Sequence, residues 1–161
     1  MAEDNQPNAE KQLSLQKIYI KDFSFESPRA PAVFSSNLSP QTQLSIKSSA
    51  KELAPDTQEV ILTLTLEATD QEKTLFMVEI EQAGLFRIQG YSEEEQRMLI
   101  GSYCPGTLYP FAREAIADVI TRGGFPQLLL QPINFDGLYA QALKVGGDGN
   151  GGSMGTPEGT H

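Results

Sequence analysis

The sequence contains very few of the residues that build disulfides, metal sites and nucleophilic centres. Cys104 is the single cysteine, which excludes an internal disulfide framework and suits a reducing cytoplasm. The one histidine, His161, is the last residue, so Cys104 has no imidazole partner and the spacing of a zinc site is missing. The sequence therefore predicts neither a cofactor nor a metal, and it gives little support to an enzyme.

Basic residues and long apolar runs are also scarce. There are 12 Lys and Arg against 21 Asp and Glu, a formal net charge of −9, and this balance argues against binding to nucleic acid. No apolar run is long enough to cross a bilayer, and the N-terminus lacks the basic start and apolar centre of an export signal. We therefore expect a cytoplasmic protein that does not insert into membranes and that attracts partners with basic surfaces.

The length of 161 residues predicts one domain with a hydrophobic core. Residues 15–145 form this predicted domain, and residues 1–14 are polar and predicted to be a disordered tail. Residues 146–161 are rich in glycine and predicted to be a second, flexible tail. A calcium-binding glycine repeat in this tail would require several stacked copies, whereas the sequence contains one.

Alternating apolar and polar residues predict four β-strands in the first half of the chain. The clearest alternation runs from Glu59 to Thr69, and a short polar turn joins it to a hairpin partner from Leu75 to Glu81. An earlier strand contains Phe23 and Phe25, and a shorter one follows Pro40. Four strands with one polar face predict an antiparallel sheet whose other face is covered.

The C-terminal third supplies helices for that cover, which predicts an α+β fold. A capping-box pattern at Ser92 predicts a short helix, which Gly101 and Pro105 interrupt. A longer helix is predicted from Leu108 to Arg122, and a last helix follows a predicted N-cap at Asp136.

The predicted helix from Leu108 to Arg122 carries a wide apolar stripe at i, i+3, i+4 spacing. The stripe is wider than one sheet needs, so Tyr109, Ala112 and Ile116 are predicted to contact a second copy of the chain. The sequence therefore predicts a homo-oligomer, for which closed symmetry is the usual arrangement.

Acidic residues are predicted to gather on the polar face of the sheet. Asp22 and Glu26 alternate outward on the first strand, and Glu79 and Glu81 alternate outward on the fourth, beside Met77. A single acidic face results if these two strands pair. Paired carboxylates also occur in hydrolases, but these lie on a wet face rather than in a cleft. The pattern therefore favours a solvated surface or a contact surface for a basic partner.

The segment Gly123–Phe135 is apolar but has the periodicity of neither a helix nor a strand. Pro126 and Pro132 each remove a backbone donor and favour extended geometry in the residue before them, so the segment cannot be an interior strand. It is predicted to be a crossover loop on the protein surface. Two interpretations stay open: a packed connection over the core, or an apolar surface that binds another molecule.

Three separated motifs resemble the SecB family of bacterial protein-export chaperones. They are Tyr103–Glu114, the crossover segment within Arg122–Phe135, and Ile18–Glu26 at the first strand. The resemblance covers Leu15 to Leu143. Gly106 stands where the family is expected to have asparagine.

The resemblance implies a four-stranded antiparallel sheet with helices on one face, in a homotetramer that is a dimer of dimers. SecB proteins hold unfolded secretory preproteins in the cytoplasm without ATP and deliver them to the SecA motor of the translocase. By position, the resemblance places the SecA contact at Asp22, Glu26, Met77 and Glu79. It places the client-binding groove at these apolar residues: Phe34, Leu38, Phe125, Leu128, Leu130, Ile133 and Phe135.

Two other functions remain compatible with the sequence. A generic acidic adaptor would contact a partner but would not protect unfolded proteins. A SecB-like chaperone dedicated to one client, such as an antitoxin, would protect that client and neglect exported precursors.

Overall fold

The computed structural model describes residues 10–145, which form a four-stranded antiparallel sheet with helices packed on one face. The strands are β1 (Gln12–Glu26), β2 (Gln41–Ala54), β3 (Thr57–Asp70) and β4 (Lys73–Gln89). Their order in the sheet is β1-β4-β3-β2, so the first and fourth strands pair. The predicted α+β class is confirmed. We call the helix-covered side of the sheet the inner face and the other side the outer face.

The first strand begins inside the segment that was predicted to be an N-terminal tail. Gln12 already pairs with Gln89, so residues 12–14 belong to the sheet. The rest of that predicted tail up to residue 9 lies outside the described residues. The glycine-rich segment 146–161, with its calcium-binding alternative, lies outside them as well.

All four strands are longer than the alternation of the sequence predicted. Two irregularities in β1, between Leu15 and Lys17 and between Ile20 and Asp22, change which residues face inward. The alternation cannot be followed across such bulges in the sequence alone. No such irregularity occurs opposite the core positions of β3. The inward side chains of this strand are fully buried: Val60, Leu62, Leu64 and Leu66.

The helical layer begins as predicted at Ser92. The Ser92 hydroxyl accepts a hydrogen bond from the Glu95 amide at 3.2 Å, which caps helix α1 (Glu93–Met98). A π-helical turn over Leu99–Tyr103 then leads directly into helix α2 (Cys104–Arg122).

The predicted interruption between these helices was wrong. Pro105 lies in the first turn of α2, where its missing backbone donor costs little. Gly101 lies in the π-helical turn, where a Cβ atom would stand 2.4 Å from the ring of Tyr139. The glycine therefore admits a neighbouring ring from the last helix, α3 (Phe135–Val145), instead of ending a helix.

The predicted N-cap of α3 was also wrong. Asn134, not Asp136, caps this helix, because its side-chain oxygen accepts a hydrogen bond from the Gly137 amide at 3.1 Å. Asp136 instead accepts a hydrogen bond from the hydroxyl of Ser102 and so ties α3 to the π-helical turn.

The core lies between the inner face of the sheet and helix α2, which packs on β4 and β3. Gly84 on β4 allows this close approach, since a Cβ atom there would lie 2.9 Å from the side chain of Leu108. A short 3-10 helix, Ala32–Ser35, closes one end of the core with the buried Val33. Within residues 10–145, no helix combines the length and the apolarity that a membrane span requires.

Candidate functional site

The outer face of the sheet, which no helix covers, carries a group of carboxylates at one end. The register places Met77 of β4 between Glu26 of β1 and Glu67 of β3. Two residues further along, Glu79 follows on β4, and Glu81 lies opposite Asp22. We call this group the acidic patch; it consists of Asp22, Glu26, Glu67, Glu79 and Glu81 around Met77.

The chain itself does not neutralise the acidic patch. Within the described residues, none of its carboxylates forms a salt bridge. Glu79 accepts a hydrogen bond from the hydroxyl of Thr65 at 3.0 Å, and Glu67 accepts one from Thr74 at 2.9 Å. These neutral donors orient the carboxylates and leave their charge in place. The patch therefore presents a negative potential that attracts a basic partner.

An apolar contact lies at the centre of the acidic patch. The Met77 side chain is 36% exposed, and it is flexible and polarisable enough to adapt to a partner surface. Like charges directly opposite one another on neighbouring strands destabilise a sheet, and Asp22 and Glu81 form such a pair. Sheet stability therefore does not explain the presence of this pair.

The four residues predicted for the SecA contact are therefore neighbours on one exposed surface. Their role stays a prediction, and Glu67 was missed. The sequence contained a signal for it, because Glu67 faces outward in the alternation of β3. The register of the predicted hairpin then brings it next to Met77.

The inner face carries an aromatic series that reaches from the sheet to the crossover loop. The ring centroids of Phe25 and Phe76 are 6.0 Å apart, those of Phe76 and Phe125 are 4.8 Å apart, and those of Phe125 and Phe34 are 5.5 Å apart. Gly123, at the end of α2, makes room for this series, since a Cβ atom there would lie 2.3 Å from the Phe25 ring. Residues 125–134 form neither helix nor strand, as predicted for a crossover loop.

The seven residues predicted for client binding all belong to or adjoin this apolar layer, but they differ in exposure. Phe34 is 50% exposed, and Leu38, Leu128 and Ile133 are half-buried. The remaining three side chains lie in the core of the subunit: Phe125, Leu130 and Phe135. The structure therefore corrects their assignment, because a client cannot reach them without displacing the loop.

One exposed apolar residue of the crossover loop was missed. The Leu129 side chain is 62% exposed, between the half-buried Leu128 and the buried Leu130. In a segment without periodicity, the sequence offers no signal for which of three consecutive leucines points outward. The first interpretation of the loop is confirmed, since it packs on the core; the loop also offers apolar surface, and the binding of another molecule there stays a prediction.

The structure also corrects the residues predicted for contact between subunits. Tyr109, Ala112 and Ile116 are buried within the subunit itself, so they have no free surface for a second chain. The hydroxyl of Tyr109 donates a hydrogen bond to the Gln131 carbonyl and so fixes the crossover loop to α2. The large apolar side chain that α2 leaves uncovered is Phe111, which is 46% exposed.

Cys104, the first residue of α2, is fully buried in the core. Burial raises the pKa of its thiol to about 12. An activated cysteine nucleophile has the opposite property, a lowered pKa that maintains the thiolate. Within residues 10–145, no group of three or more His, Cys, Asp or Glu side chains could hold a metal ion.

The raised pKa of Cys104 predicts a loss of stability in alkaline solution. The unfolded thiol ionises near pH 9, whereas the folded thiol keeps its proton up to pH of about 12. Stability therefore falls as the pH rises through this window, by about 1.4 kcal/mol per pH unit from this group alone. Urea unfolding at pH 8 and pH 10 should show a smaller loss in Cys104→Ala than in the parent. An equal loss in both proteins would contradict this account.

Comparisons with known proteins agree with this architecture. A family model described as "Preprotein translocase subunit SecB" matches residues 6–145. A protein-export protein SecB from Methylococcus capsulatus is 46% identical over 145 residues, covering 90% of this chain and 93% of that protein. A protein of the same name from Nitrosococcus oceani is 48% identical over 149 residues, covering 88% and 91%.

A solved structure shows the same fold at lower sequence similarity. A SecB-like chaperone from Mycobacterium tuberculosis, solved in complex with an antitoxin peptide, superimposes with a TM-score of 0.64 at 20% identity. The match covers 75% of this chain and 90% of that one. The family match over most of the chain, together with relatives above 40% identity, decides the assignment: this chain belongs to the SecB family.

Proposed function

We propose that this chain is a protein-export chaperone, which holds unfolded precursor proteins on the apolar surface beside its crossover loop and delivers them to SecA at its acidic patch. The single observation that carries the proposal is that one sheet presents two different surfaces. The outer face carries unneutralised carboxylates around Met77, and the inner face leads to the exposed Phe34 and Leu129. Relatives that share 46–48% of their residues with this chain are named protein-export proteins.

Client binding is a matter of apolar area and needs no covalent chemistry. An unfolded precursor exposes apolar side chains, and removing their surface from water yields about 25 cal/mol per Å². Exposed apolar surface is provided by Phe34, at one end of the aromatic series, and by Leu129 in the crossover loop. Because such contacts read no particular sequence, one surface can accept many precursors.

Holding activity in the absence of nucleotide is the test of this function. The purified protein should suppress the aggregation of a slow-folding secretory precursor without ATP, and added SecA should compete for the bound precursor. An acidic adaptor would bind SecA but leave aggregation unchanged. A chaperone dedicated to one client would protect that client and fail with secretory precursors, and either result would overturn the proposal.

We also propose that the chain assembles as a homotetramer, a dimer of dimers. Apolar side chains that a single subunit leaves uncovered support association: Leu15, Ile20 and Phe23 on β1, and Phe111 on α2. Phe111 lines a depression of about 510 Å³ on α2 together with Glu114 and Asp118. Several weak client sites on one particle would raise the overall affinity while each contact stays reversible.

Sedimentation at micromolar concentration should give about four chains per particle, in line with closed symmetry. Phe111→Glu should shift the particles toward smaller species, since it places a charge on exposed apolar surface of α2. Phe34→Glu is the matched control, because it makes the same change beside the crossover loop. A parent protein that sediments as a monomer would contradict both the assembly and the gain in affinity.

A further inference from the structure

The outer face carries a second group of charges, of opposite sign, at the other end of the sheet. One row across the four strands reads Lys17, Leu85, Glu59 and Lys51. Arg87 is the next outward residue of β4, and Lys21 occupies the bulge in β1. We call the four cations Lys17, Lys21, Lys51 and Arg87 the basic patch.

Only one carboxylate lies within the row that crosses the basic patch, and it is already engaged. Glu59 accepts a hydrogen bond from Lys21 at 3.0 Å and another from the hydroxyl of Tyr19. The hydrogen bond from Tyr19, followed by that from Lys21, lowers the pKa of the Glu59 carboxyl, so its charge is kept. Within the row, two cations stand against this one carboxylate, and Lys21 and Arg87 lie beside the row as two further cations.

Three of the cations form no salt bridge within residues 10–145: Lys17, Lys51 and Arg87. The Nε atom of Arg87 is buried and has no hydrogen-bond partner there. Buried polar atoms are normally paired, so this guanidinium is incompletely satisfied in the isolated chain.

The two patches lie on one continuous surface. Met77, at the centre of the acidic patch, and Leu85, in the row of the basic patch, are on the same strand, about 26 Å apart at 3.3 Å per residue. Between the two patches, Ala83 is buried and Ile61 is half-buried on the outer face. A partner with a standard contact area of about 800 Å² can cover both ends.

We propose that the outer face is a bipolar docking surface. The protein partner that places basic groups on the acidic patch also places acidic groups on the basic patch. This inference rests on the proposed delivery to SecA and adds a second contact to it. The arrangement fixes the orientation of the partner, because a partner turned end for end would bring like charges together.

Neutralising two cations of the basic patch tests the inference. Lys17→Gln together with Lys51→Gln removes two positive charges from exposed strand positions without creating repulsion at Glu59. Binding to purified SecA at low ionic strength should weaken about threefold to tenfold. The matched control, Arg29→Gln with Lys144→Gln, makes the same change in net charge at exposed positions away from the sheet and should bind like the parent.

The outcomes separate this inference from the proposed function. Unchanged SecA affinity in Lys17→Gln/Lys51→Gln, with lost affinity after charge reversal in the acidic patch, would overturn the bipolar surface and keep the delivery function. Unchanged affinity in both would overturn both.

Discussion

Replacing Asp22 and Glu79 by lysine is expected to weaken the binding of SecA by about one to two orders of magnitude at low ionic strength. Both carboxylates lie on the uncovered outer face, and neither forms a salt bridge in the described residues. The exchange places positive charge where a basic partner needs negative charge. A higher salt concentration should also weaken the binding of SecA to the parent protein, because salt screens exposed charges. Titration calorimetry at two salt concentrations measures both effects.

The matched control makes the same change in net charge at positions outside the acidic patch. Glu52→Lys with Glu94→Lys reverses two exposed carboxylates outside the acidic patch and should leave SecA affinity near that of the parent. Suppression of precursor aggregation should persist in both double variants, because the apolar surface lies on the opposite face. If Asp22→Lys/Glu79→Lys binds SecA as well as the parent at low salt, the acidic patch is only solvated surface.

The same substitution at two neighbouring leucines of the crossover loop should affect two different quantities, the stability of the subunit and its affinity for a precursor. Leu130 is 9% exposed and belongs to the core, so Leu130→Ser should lower the free energy of unfolding by about 2–5 kcal/mol. Leu129→Ser changes a mostly exposed side chain and should alter stability by less than about 0.5 kcal/mol. It removes apolar surface that we propose for client binding, so the affinity for an unfolded precursor should fall. Urea unfolding and a fluorescence binding assay with one labelled precursor measure the two quantities.

Each variant serves as the control for the other. Leu130→Ser shows what a core defect does to precursor binding, and Leu129→Ser shows the effect of surface loss in an intact subunit. Unchanged precursor affinity in Leu129→Ser would remove the exposed part of the loop from the client-binding surface. A large loss of stability in the same variant would show that Leu129 is a packing residue.

The sheet could be predicted from the sequence wherever its period is undisturbed. Strand β3 was read correctly because Val60, Leu62 and Leu64 alternate without a break. Strand β1 was recognised only near Phe23 and Phe25, because two bulges exchange its inward and outward residues. The charge pattern favoured the pairing of β1 with β4, since this pairing unites the acidic residues of both strands on one face.

The helical side was less predictable, because several polar residues near each helix end compete for the same roles. Asn134 and Asp136 are both suitable N-caps, and only the path of the loop decides between them. The apolar stripe of α2 identified the apolar positions of the helix. It did not show which of these positions are buried within the subunit. Tyr109 is buried against the crossover loop and the first residue of α3, while Phe111, two residues later, faces outward.

The bulge at Lys21 has a consequence for how this chain tolerates change. Upstream of it, odd-numbered residues such as Lys17 and Tyr19 face outward; downstream, even-numbered residues such as Asp22 and Glu26 do. Deleting Lys21 would restore a regular period and keep Phe23 and Phe25 on the inner face, because Lys21 is the extra residue of the bulge. Deleting Ser24, in the regular stretch that follows, would instead turn the residues on one side of the deletion over. The loss of one residue is therefore better tolerated at Lys21 than between Asp22 and Glu26.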